Sequence, residues 1–139
     1  MSARSKARKR AVDALFAGNI RSQDPSELLE QTFKQGQVRQ NQEEIFDYAR
    51  ALVNGFGEHQ AAIDSRIELS SQGWRLDRMP TLDLTILRVA SFEILYNDEV
   101  PDAVAIAEPK TLAEESSTDD SARFTSGIWH SISKSKQAL

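Results

Sequence analysis

Residues 81–97, TLDLTILRVASFEILYN, decide how the rest of the chain is read. Leu84, Leu87, Ile94 and Leu95 recur at helical spacing and mark the expected core face. The segment is apolar on several sides, as expected for the central, most buried helix of a bundle. Arg88 stands inside this apolar stretch, and a buried guanidinium needs a partner. Glu108 and Asp83 are the candidates, for structural pairing rather than catalysis. Pro80 bounds the segment upstream, where WRLDRMP (74–80) reads as a turn or a single helical turn. Downstream, Pro101 begins a helix running to about Glu115, in which Pro109 is expected to kink the axis or break one backbone bond. SSTDDS (116–121) then offers several caps for a last helix carrying Phe124, Ile128 and Ile132.

The N-terminal part repeats the pattern. Ala7, Ala11 and Leu15, with Val12 and Phe16, predict an amphipathic first helix, which Gly18-Asn19 is expected to end. In DPSELLEQTFKQG (24–36), Asp24 is a cap, Pro25 suits the first helical position, and Glu27 completes a capping-box pattern. Leu28, Leu29 and Phe33 supply its apolar face, and Gly36 stops it. Asn41 with Glu44 opens a third segment, with Ile45, Ala49, Leu52, Phe56, Ile63 and Ile67 on one stripe. Gly55 and Gly57 are the places where that helix is expected to break, and Gly73 ends the region. No alternating strand pattern is present. The expectation is an all-α fold: a compact bundle of about seven helices, forming one domain over 1–139.

The composition narrows function by exclusion. No apolar run is long enough to span a membrane, and the start has no apolar signal-peptide core, so a cytoplasmic protein is expected. The chain has no cysteine, which removes disulfides, thiolate metal sites and thiol nucleophiles. The formal net charge is −4, unevenly distributed. Arg4, Lys6, Arg8, Lys9 and Arg10 all fall within the first ten residues, which hold no acid, and the remainder is strongly acidic. A basic end on an acidic chain suggests contact with nucleic acid or another anionic surface.

Catalytic chemistry finds little support. His59 and His130 are the only histidines and lack ligand spacing, so packing or helix-surface roles are expected. Gly55-Phe56-Gly57 lacks the third glycine of a phosphate loop and follows no strand. Asp119-Asp120 is better read as helix capping than as a cation site. No cofactor or metal is expected, and the protein is not expected to be an enzyme. Phe124 and Trp129 sit five apart on the last helix; an exposed aromatic there could stack on an unpaired base, and at least one of the two is expected in the core.

Three stretches together resemble the NusB family of transcription antitermination factors. ARSKARKRAVDALF (3–16) resembles that family's Arg-rich first helix. LDRMPTLDLTILRVASFEILYNDEVPDAVAIAE (76–108) is similar to its central helix and Val-Pro helix start, and STDDSARFTSGI (117–128) to its acidic-Ser, Phe and Asn-Gly segment. The resemblance runs over most of the chain. It implies two packed helical subdomains and binding, without catalysis, of the single-stranded boxA element of ribosomal RNA leader transcripts. The implied partner is NusE, a small-ribosomal-subunit protein, and the complex would help RNA polymerase read through terminators.

Carried over by position, Arg4, Lys6, Arg8 and Arg10 would meet RNA phosphates and base edges, and Phe124 would stack on a base. Phe16 and Asp83 fall at positions on the NusE-facing side. Asp120, counted with the partner-binding residues, belongs with Ser121 and Phe124 to the acidic-Ser-x-x-Phe pattern beside the RNA surface. Glu108 matches a characteristic family glutamate. Two departures stand out. The usual Ile-Asn-Glu-Ala reads Ile106-Ala107-Glu108-Pro109, and the usual Phe-Val-Asn-Gly reads Phe124-Thr125-Ser126-Gly127. Two other readings remain open at this level. One is a NusB-like domain of the kind that precedes the catalytic domain in some ribosomal RNA cytosine methyltransferases. The other is a protein-binding or self-associating helical module, including a homodimer.

Overall fold

The computed structural model describes the backbone of residues 2–36, 42–71, 75–97, 100–116 and 119–137. Within its last two helices it describes the side chains of 104, 105, 107–113, 123 and 125–135. Among the described residues there are six α-helices, one 3-10 turn and no strand: α1 (Ala3–Arg21), α2 (Pro25–Gln35), α3 (Gln42–Ser70), the turn Leu76–Arg78, α4 (Thr81–Tyr96), α5 (Asp102–Ser116) and α6 (Asp119–Gln137). The chain forms two compact helical units, 1–58 and 59–139. The boundary coincides with a break inside α3, where His59 leaves helical geometry at φ −116°, ψ 16°. The break therefore falls two residues beyond Gly57. If α3 is counted as two segments, the described helices number seven.

In the first unit, α1 packs on α2. Ser2 caps α1 by accepting from the Ser5 N–H at 3.1 Å. The helix does not stop at Gly18-Asn19. It continues to Arg21 and ends with Ser22 in the left-handed region at φ 54°, where the Gln23 N–H closes a 6→1 bond to the Gly18 carbonyl at 3.0 Å. Gly18 is needed for closeness rather than for stopping. A Cβ there would lie 2.8 Å from the Gln23 carbonyl oxygen and 2.9 Å from Pro25 Cγ. Asp24 caps α2 as expected, accepting from the Ser26 N–H at 2.9 Å, with Pro25 following. Leu29, Ile45, Phe46, Ala49, Leu52, Val53 and Phe56 are buried with Ala7, Ala11 and Val12, and Phe33 packs tilted on Phe46 at 4.9 Å. Asn41 and Gly73, expected at the ends of the third segment, lie outside the described residues.

In the second unit, α4, α5 and α6 pack on one another pairwise. Burial of Leu84, Ile86, Leu87, Val89, Ala90 and Ile94 puts α4 at the centre, as its apolar content demands. Trp129 is fully buried and donates its indole N–H to the Leu87 carbonyl at 3.4 Å, which meets the expectation that at least one of Phe124 and Trp129 lies in the core. Arg88 has a partner beyond the two candidates Glu108 and Asp83. Its guanidinium makes a two-pronged pair with Asp64 of α3 at 2.9 and 3.0 Å. Pro109 lies buried within α5, and the helix runs through it; the imino nitrogen removes one ladder bond without ending the helix.

Candidate nucleic-acid interface

The basic residues of α1 divide by helical position. Lys6, Lys9 and Arg10 stand at i, i+3 and i+4, so one side of the helix carries all three, and all three are exposed. Asp13, at the next step, continues that side. Its carboxyl is pushed up by partial desolvation, against the opposing pull of Lys9 and Arg10. Arg10 places its guanidinium carbon 5.8 Å from the centre of the Phe46 ring. Arg4 is exposed at the helix start and lies over Tyr48 at 4.7 Å, a cation–π contact that steadies the long side chain. Lys6, Lys9 and Arg10 line a concave pocket of about 260 Å³ with Gln42 and Ile45 of α3.

Arg8 departs from expectation. It is only 4% exposed and interacts with other groups of the protein. The reason is spacing: Arg8 precedes Ala11 by three and Val12 by four, so it belongs to the apolar face that packs inward. It offers almost no surface to a phosphate. Asp83 departs in the same way. It is 2% exposed, in the first turn of the buried helix α4, where a carboxylate complements the helix dipole. Its side chain is therefore not displayed for a partner, and it too interacts within the protein. Phe16 is half-buried on α1. Asp120 and Phe124 belong to α6, and their side chains lie outside the described ones, as does that of Ser121. Glu108 is half-buried and interacts with other groups of the chain.

Three arrangements have no counterpart in the sequence reading. Tyr48 of α3 lies beneath Arg4, a contact that no local pattern in the sequence links. Gln42 and Ile45 join the cationic side only through the approach of α3 to α1. In the second unit, His59 stacks on Tyr96 at 4.0 Å with the rings 12° apart, and Phe92 lies 5.9 Å from Tyr96. The expectation of a packing histidine points at His59 but not at its partners. His130 is exposed. Among the described residues, no group of three or more His, Asp or Glu is placed to hold a metal ion, and no helix is long and apolar enough to cross a membrane.

An all-helical chain with exposed cations ranked along its first helix defines a class: a helical module suited to meeting a polyanion. Comparison with known proteins narrows it. The NusB family model matches residues 5–134. A transcription antitermination protein NusB from Nocardioides sp. is 47% identical over 139 residues, covering 100% of this chain and 99% of its own. NusB of T. maritima has the same fold, with a TM-score of 0.84, 27% identity and coverage of 98% and 97% of the two chains. A chain from a crystal structure of the antitermination factors NusB and NusE with double-stranded RNA superposes with a TM-score of 0.84 at 23% identity, covering 97% and 98%. The chain belongs to the NusB family.

Proposed function

We propose that this protein is a transcription antitermination factor that binds the boxA element of ribosomal RNA transcripts together with NusE, helping RNA polymerase pass terminators. It works in the cytoplasm, by binding and not by catalysis. The observation that carries this reading is the exposed row Lys6, Lys9 and Arg10 on α1, with Arg4 set over Tyr48 at the helix start. Each cation can neutralise a phosphate, which gives a salt-dependent affinity for RNA. Choice among sequences then requires unpaired bases, read by stacking and by hydrogen bonds to their edges. Phe124 of α6 is the proposed stacking residue, and Phe16 and Asp120 are proposed to face NusE. Asp83 and Arg8 are dropped from the contact set because they are buried.

Fluorescence anisotropy with a boxA-like single-stranded RNA and a scrambled control tests this. The expected result is tighter binding to boxA, strengthened by NusE and weakened about tenfold by Phe124→Ala, in line with the loss of one stacked base. Equal affinity for both RNAs, with and without NusE, would leave only a basic patch and reject the reading.

A further inference from the structure

The hollow lined by Lys6, Lys9 and Arg10 holds more than positive charge. Gln42, the first residue of α3, and Ile45, about one turn on, also line it. Cations on flexible stems hold phosphates without regard to sequence. A glutamine amide is different, because it carries a donor and an acceptor side by side and can match the edge of a base. Gln42 is half-buried at the start of α3, and its side chain lines the pocket. The volume of about 260 Å³ is of a size for one nucleotide-sized group. Asp13, one turn beyond Lys9 and Arg10, interacts with the charge of both.

We propose that this pocket receives a single unpaired nucleotide, with Lys6, Lys9 and Arg10 on its phosphate and on the phosphates that flank it and its base edge against the Gln42 amide, which makes Gln42 a specificity-determining residue. This rests on the RNA-binding reading above. A site for phosphate alone would use the cations and ignore the amide.

The test uses the full chain with NusE and a set of boxA-like RNAs in which each nucleotide in turn is made abasic. Wild-type protein should lose about tenfold in affinity at one position. Gln42→Ala should lose a similar factor on the intact RNA and lose nothing more when that same position is abasic. Its affinity for scrambled RNA should stay within twofold of wild type, whereas Lys9→Gln should weaken both RNAs. Circular dichroism confirms that each variant is folded. If Gln42→Ala keeps the full preference for boxA, or weakens both RNAs equally, the inference is overturned while the RNA-binding reading stands. If the wild-type protein has no preference for boxA, both fall.

Discussion

Arg8 and Lys9 are adjacent in sequence and opposite in environment: one is packed inside the first unit, the other stands in solvent. A basic run read as a composition treats them alike, whereas a basic run read as a helix separates them. Truncating a buried, partnered guanidinium strands its partners. Arg8→Ala should therefore lower stability by about 1–3 kcal/mol in urea unfolding, while Lys9→Ala stays within about 0.5 kcal/mol of wild type. RNA titrations should show the reverse ranking, at a temperature where both variants remain folded. An Arg8→Ala protein of normal stability that no longer binds RNA would restore Arg8 as a direct contact. Depth also sets the surroundings of Ser91, whose hydroxyl is fully buried and has no hydrogen-bond partner among the described residues. The carbonyl one turn back, Leu87, already receives the Trp129 indole. That Arg88 needed a partner was legible from its apolar setting; that Asp64, on another helix, pairs with it was not, because no local pattern links positions 24 apart.

Helix boundaries were legible where capping chemistry sets them. Asp24-Pro25 announces α2, and the chain starts that helix there. Gly18 misled because a glycine in sequence signals either a stop or a close approach, and only the position of Gln23 and Pro25 shows which. The break in α3 was expected at the glycines and falls at His59, which stacks on Tyr96. Between α2 and α3, Arg50 joins the first unit electrostatically. It binds Glu30 through Nε and Nη2, Asp47 through Nη1 at 2.8 Å, and lies 5.0 Å over Phe33. Its hydrogen bond holds the Glu30 carboxyl below the usual value of 4.5. A lowered carboxyl pKa contributes stability that is complete above about 4.5 and is lost as pH falls through the folded-state value. Both side chains are about a third or more exposed, so the contribution is at most about 1 kcal/mol. Urea midpoints at pH 6 and pH 3 should separate wild type from Glu30→Gln at the higher pH and converge at the lower. An unchanged gap at both pH values would show that the pair does not couple to folding.

At the scale of the whole molecule, the charge balance opposes the proposed ligand: a chain of net charge −4 should repel RNA. What matters is where the cations stand. The basic start was visible in the sequence, but the pocket that Lys6, Lys9 and Arg10 line with Gln42, the proposed RNA contact, emerged only once α3 lay beside α1. Two triple variants isolate location from net charge. Changing Lys6, Lys9 and Arg10 to Gln removes three cations from the pocket, and changing Arg75, Arg78 and Lys134 to Gln removes three exposed cations from the second unit. Both proteins become more negative by the same amount. For single-stranded RNA each phosphate contact contributes about −0.7 to the slope of log affinity against log salt. The first variant should therefore flatten that slope by about 2, and the second should leave it near the wild-type value. Equal flattening in both would mean that RNA responds to the overall field of the protein rather than to the α1 row. Flattening in the second alone would move the interface to the other unit.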